Sequence, residues 1–159
     1  MGAYGTILVG TDGSASSFRA VTAAGRLAGD TGAKLVLACA YTPMRERDRA
    51  EAADRLGDLA YKISGSTPAE DALRAAREHA VAGAAENARG TLEIEEVAVA
   101  GDAVDMLAKL ADERGADLVV VGNRGLNSLA GRILGSVPAN LSHRSPCDIL
   151  IVHTTDGRR

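Results

Sequence analysis

The sequence predicts an α/β fold, a parallel sheet with helical crossovers on both faces. Three observations lead there. Short apolar runs of branched residues, Ile7-Leu8-Val9, Leu35-Val36-Leu37 and Leu118-Val119-Val120-Val121, have the continuous character of strands covered on both sides. They alternate with longer stretches whose apolar residues recur at helical spacing. Aromatics make up only 3% of a chain that is 46% hydrophobic. Ala, Val and Leu therefore form the core, which suits helices lying close on a sheet. Residues 1–159 are read as one domain, a length that fits one core and is short for two.

The elements follow in order. A first strand over residues 6–9 ends at Gly10-Thr11-Asp12-Gly13. Ser14 or Ser16 caps the next helix, whose stripe is Ala20, Val21, Ala24, Leu27 and Ala28. The GDTG of residues 29–32 closes it, and a second strand covers residues 34–41. Residues 43–68 are the awkward part. They open on Arg45-Glu46-Arg47-Asp48-Arg49, allow a helical piece over residues 51–63 with Leu56, Leu59 and Ile63 on one side, and end in Ser64-Gly65-Ser66-Thr67-Pro68. This excursion is read as a solvated, charged segment, with a lid near a ligand as the sharper alternative. Thr67-Pro68 starts a long helix with Ala69, Leu73, Ala76 and Ala80 inward, ending near Arg89-Gly90. The third strand, residues 91–99, alternates apolar and acidic residues and belongs at a half-exposed edge. Gly101-Asp102 leads a helix with Val104, Leu107, Ala108 and Ala111 inward, and residues 147–152 form the fifth strand. A polar tail follows.

Composition excludes several classes of partner. Net charge is −3 with no basic block, so sequence-independent nucleic-acid binding lacks its electrostatic footprint. No apolar run approaches the ~20 residues that span a bilayer, and the N-terminus has no basic, apolar leader. Met1-Gly2 lacks a myristoylation context. A cytoplasmic protein is expected, with Cys39 and Cys147 as two buried thiols in strands rather than a disulfide.

Residues 116–142, ADLVVVGNRGLNSLAGRILGSVPANLS, carry the functional signal. A buried strand ends at Gly122. A loop follows with Gly125 and Gly131, and Gly135-Ser136 open a helical pattern with Leu134, Val137 and Leu141 on one face and Pro138 in the first turn. A helix N-terminus presents N–H groups to an anion, and glycines let backbone approach a phosphate. The Ser136 hydroxyl and the guanidinium groups of Arg124 and Arg132 add donors. Taken singly, Gly122 is also a plain strand end and Gly135-Ser136 an ordinary cap; their spacing is what carries information. No Gly-Lys-Ser/Thr of a P-loop is present.

Gly122, two residues, Gly125, nine residues, then Gly135-Ser136 resembles the nucleotide-binding signature of the universal stress protein family, in its ATP-binding branch. The Ala-, Arg- and Gly-rich style is similar to actinobacterial members, some of which prefer cyclic AMP. The resemblance spans nearly the whole chain. It implies a Rossmann-like open five-stranded sheet of order 3-2-1-4-5, with the ligand crevice where strands 1 and 4 lie side by side and their connections diverge. It implies a nucleotide site of Gly10, Thr11, Asp12, Ala40, Gly122, Asn123, Arg124, Gly125, Gly135, Ser136 and Val137. The backbone at Ala40 would read the adenine edge. Asp12, otherwise an Asp-Gly turn residue or helix cap, would accept from ribose or base, or hold Mg²⁺ with the phosphates. Thr11 stands where relatives often carry an apolar residue or Pro, which predicts a different local backbone.

Catalysis has little support in the sequence. Ser136 has no evident base, His79, His143 and His153 read as a mid-helix residue, a helix cap and a surface residue, and no Cys or His pair has zinc spacing. The leading expectation is a stress-response sensor or reservoir binding ATP or cyclic AMP, with Mg²⁺ as a companion ion. A slow ATPase or phosphate-transfer enzyme, and a ligand-free interaction module, are the alternatives. In the implied order strand 5 is an edge, yet Ile149, Leu150, Ile151 and Val152 are continuously apolar, while Glu93, Glu95 and Glu96 guard strand 3. A homodimer through strand 5 is expected.

Overall fold

A computed structural model of the chain describes residues 2–57, 59, 66–124 and 136–154. The elements run β1 (Thr6–Gly10), α1 (Ala15–Thr31), β2 (Lys34–Tyr41), α2 (Glu46–Leu56), α3 (Thr67–Gly83), β3 (Ile94–Ala100), α4 (Ala103–Glu113), β4 (Leu118–Gly122), α5 (Ser136–Leu141) and β5 (Asp148–Val152). All strand pairs are parallel, in the order β3-β2-β1-β4-β5. The chain lays strands outward from β1 to β3, then crosses back to place β4 on the other flank of β1. Leu8 thus pairs with Val36 on one side and Val119 on the other.

Side chains alternate across the sheet as strand stereochemistry requires. Ile7, Val9, Leu35 and Leu37 meet Ala20, Val21 and Ala24 of α1 and Ala69, Leu73 and Ala76 of α3 on one face. Leu8, Val36 and Val119 meet Leu107 and Leu110 of α4 and Leu141 of α5 on the other. Ser14, not Ser16, caps α1: its hydroxyl accepts from Ser17 N, and Gly32 closes the helix at φ 72°. Asp102 caps α4 by accepting from Val104 N and Asp105 N.

Several boundaries differ from expectation. α3 stops at Gly83 rather than near Arg89-Gly90. Gly83 is the weakest helix former after the first turn, and Ala84 turns extended and buries its methyl while residues 85–91 form turns. That turn delays β3 to Ile94. β5 begins at Asp148, so Cys147 precedes the strand and is half-buried, whereas Cys39 is buried inside β2; both are free thiols. The charged excursion forms α2, earlier than expected and with no buried residue, which is the solvated reading; Leu56 and Leu59 are exposed and Ile63 lies outside the described residues. Helices therefore number five among the described residues. No helix there is long and apolar enough to cross a membrane.

The edge expectation for strand 3 holds in detail. Glu95 bonds Lys34 at 2.8 Å and Arg114 at 2.9 Å, and Glu96 pairs with Arg77 at 3.1 Å. These surface pairs contribute little stability each, but they set charge along the outer edge of the sheet.

At the opposite end of the sheet from Gly10 and Gly122, Asp117 Oδ2 accepts from Gly5 N at 2.8 Å and Thr6 N at 2.9 Å, locking the start of β1 to β4. The amide of Thr6, then that of Gly5, holds its carboxyl below the usual aspartate range. A depressed folded pKa gives stability that is complete above the unfolded value and lost as pH falls through the folded one. Urea midpoints of wild type and Asp117→Ala should therefore differ at neutral pH and converge as pH falls below the usual aspartate range. A gap independent of pH would refute this role.

Candidate functional site

At the carboxyl ends of β1 and β4 the sheet opens into a cleft lined by Gly10, Thr11, Asp12, Ser17, Ala40, Ala103, Met106, Leu107, Val121, Gly122, Arg124, Val137 and Pro138. This is where crossovers leave in opposite directions, the place in open α/β sheets where backbone ends are uncovered by either helix layer. Seven of the expected residues meet here: Gly10, Thr11, Asp12, Ala40, Gly122, Arg124 and Val137.

Each is held there by local chemistry. At Gly10 a Cβ would stand 3.0 Å from Leu107 Cδ1, a tight contact to which the end of the leucine side chain would have to yield. Thr11 does not disturb the strand; its N–H donates to Ala38 O at 2.9 Å, extending the β1–β2 pairing by one residue. A proline there could not make that bond. The Thr11 hydroxyl is buried, 2.7 Å from Ser17 Oγ, and accepts from Gly13 N at 3.1 Å. Asp12 Oδ1 accepts from Ser14 N at 2.9 Å, with Gly13 at φ 80° completing the turn. Asp12 is thus both a turn residue and a carboxylate at the cleft. Beneath it, burial and then the Asp12 charge push the Cys39 thiol up, which keeps that sulfur protonated and unreactive.

Two expected residues are placed differently. Asn123 does not line the cleft. Its Oδ1 accepts from Thr154 N at 2.8 Å and Thr154 Oγ1 at 2.9 Å, and its Nδ2 lies 3.3 Å from His153 Nδ1. Ser136 begins α5 but is exposed and outside the cleft lining. Gly125 and Gly135, with Gly131, Arg132 and Leu134, lie outside the described residues. Gly122 also has a packing reason to be glycine, since a Cβ would come within 3.1 Å of Thr154 Cγ2.

The apolar wall went unrecognised in the sequence. Ala103, Met106 and Leu107 follow i, i+3, i+4 spacing along the inner face of α4, and Pro138 completes the wall from α5. Their periodicity was legible, but it reads as core; only the sheet's open end leaves this part of the face uncovered. Chemically the cleft combines an apolar slot with one carboxylate, one guanidinium and buried hydroxyls. Such a slot takes a flat, partly polar ligand, with polar groups fixing its orientation. No group of three or more His, Cys, Asp or Glu among the described residues could hold a metal. Of the histidines, His79 stacks on Phe18 with ring centroids 4.5 Å apart, between α1 and α3.

Comparison with known proteins identifies the family and the fold. The family model described as the Universal stress protein family matches residues 3–153. Universal stress protein Rv1636 of Mycobacterium tuberculosis is 52% identical over 155 residues, covering 98% of this chain and 100% of the relative. Among solved structures, a universal stress protein in complex with cAMP superposes with a TM-score of 0.72 at 46% identity, covering 96% of this chain and 99% of that one. UspA from Lactobacillus plantarum, at 21% identity and a TM-score of 0.71 over 94% and 98% of the two chains, shares the fold.

Proposed function

The chain belongs to the universal stress protein family, and from that premise we propose that its cleft binds an adenine nucleotide, cyclic AMP ahead of ATP, as a sensor or reservoir in a stress response. The observation that carries this reading is the meeting of Gly10, Asp12, Ala40, Gly122 and Arg124 around one apolar slot at the β1/β4 boundary. The base lies against Met106, Leu107 and Pro138, with the Ala40 main chain at its polar edge. Asp12 accepts from the ribose, and Arg124 faces the phosphate from the position just before Gly125. The preference for cyclic AMP is supported by the 46% identical relative that was solved with that ligand. ATP with Mg²⁺ shared between its phosphates and Asp12 is the other occupant of the same site.

Among the described residues the cleft lining offers groups that bind a nucleotide, which supports ligand capture as the role. The protein acts as a homodimer joined through β5, for which the exposed apolar edge is the support.

Asp12→Asn keeps an oxygen for the Ser14 turn bond while removing the charge. It should weaken cyclic AMP and adenosine alike by about tenfold, the loss expected for a hydrogen bond to a charged group, as measured by calorimetry. A loss confined to ATP and dependent on added Mg²⁺ would assign Asp12 to the metal instead. Unchanged affinity for every ligand would return Asp12 to a turn role alone.

A further inference from the structure

Thr154 is one of the few buried polar side chains in the described residues, and it lies beyond β5, away from any recognised motif. Its hydroxyl donates to Asn123 Oδ1 at 2.9 Å. That uses its only proton, so across the 2.6 Å contact with Ser16 Oγ it must accept, and the serine hydroxyl is the donor. The Thr154 amide donates to the same Asn123 oxygen at 2.8 Å, and Arg19 Nη1 donates to the Thr154 carbonyl at 3.0 Å. The Asn123 amide in turn donates to Val152 O at 2.9 Å. The Thr154 methyl packs beside the place a Gly122 side chain would take. Thr154 therefore ties three segments together: the first turn of α1, the end of β5, and the point at which the chain leaves β4.

We infer that Thr154 is a positioning residue for the phosphate side of the cleft, acting through Asn123 to fix where Gly122 and Arg124 stand. This rests on the nucleotide reading of that cleft. Gly122 and Arg124 line it, and the residue between them has its side-chain oxygen held twice by Thr154. Asn123 is thereby removed from the set of side chains available to a ligand and becomes the brace between its two neighbours. A polar network whose members are all satisfied holds one geometry, whereas losing the Thr154 hydroxyl takes one of two donors from the half-buried Asn123 oxygen and the acceptor from Ser16, which leaves the arrangement free to shift. Asp12, Ala40 and the α4 wall, which face the nucleoside, are held by other contacts. The effect should therefore divide between the two halves of a nucleotide.

Thr154→Val is nearly isosteric and removes only the hydroxyl. It should raise the Kd for cyclic AMP about tenfold while that for adenosine changes less than about twofold, a division that general destabilisation would not produce. Thr154→Ser restores the hydroxyl and should restore cyclic AMP binding. Ser16→Ala removes the partner from α1 and should show the same selective loss in milder form, which keeps the test decisive if Thr154→Val does not fold. Equal losses for cyclic AMP and adenosine, unchanged cyclic AMP affinity in both Thr154→Val and Ser16→Ala, or failure of Thr154→Ser to restore binding would overturn the positioning role. Wild-type protein that takes up neither ligand would instead overturn the nucleotide reading, and this role with it.

Discussion

Gly25→Ala should destabilise the protein by about 3 kcal/mol, although helix propensity alone favours alanine over glycine by about 1 kcal/mol in a helix interior. The sign is decided by the contact between α1 and α3. A Cβ at Gly25 would fall onto the Ala80 carbonyl oxygen and 2.7 Å from its carbonyl carbon. The relation is mutual, since a Cβ at Gly83 would meet the Thr22 carbonyl, 2.9 Å from its carbon. The obstructing atoms are backbone, which cannot rotate away, so the helices must part along a seam that buries Val21, Ala24, Ala76 and Ala80. Against a typical total of about 5–15 kcal/mol, such a loss lowers Tm by roughly 10 °C in a domain of this size. Gly32→Ala is the control: its position has φ 72° but open space around it, so only backbone strain of about 1 kcal/mol is expected. Urea unfolding followed by circular dichroism reads both. Gly25→Ala at or above wild-type stability would show that the close approach of the two helices is not maintained.

Ile151→Pro should convert a dimer into a monomer with its sheet intact. β5 is an edge, paired with β4 on one side only among the described residues. Leu150 and Ile151 are 39% and 37% exposed, unusual for such residues in a strand. An open apolar edge is a template for aggregation unless covered, and the acidic guard on β3 has no counterpart here. Pairing with the same strand of a second copy about a two-fold axis would cover it. The position of the proline matters. In a parallel ladder the N–H and C=O of one residue point to the same neighbour and those of the next residue to the other side. Val152 O accepts from Asn123 N beyond the end of β4, so Ile151 directs its N–H outward. Proline there removes an outward donor and leaves the β4–β5 bonds in place. Sedimentation should show dimeric wild type and monomeric variant, or a variant that aggregates through its uncovered side chains. A wild type that sediments as a monomer at micromolar concentration would refute the interface.

Much of the architecture was legible because burial leaves a local record. The runs at residues 7–9, 35–37 and 118–121 are apolar at every position, as strands covered on both faces require. Gly10, Asp12 and Gly122 pointed to the cleft they line because strand ends left open carry glycine and turn residues. Asp117, by contrast, looks like any surface aspartate in sequence; its role depends on Gly5 and Thr6 more than a hundred residues away. The early end of α3 was hidden because Ala84, Ala85 and Ala88 continue a helical composition past the glycine that stops it.

By itself, then, the sequence determined the five strands, the helix faces and the family-like glycine spacing, since periodicity and chain punctuation act between near neighbours. The tertiary structure alone decided which glycines are needed for packing, Gly25 against the Ala80 carbonyl and Gly83 against that of Thr22. It decided that the Asn123 side chain turns to Thr154, and that Met106 and Leu107 wall a cleft instead of closing a core. Those outcomes depend on which distant backbone or side chain arrives at a given point. A periodic pattern specifies that a face is buried, but not the atom that buries it.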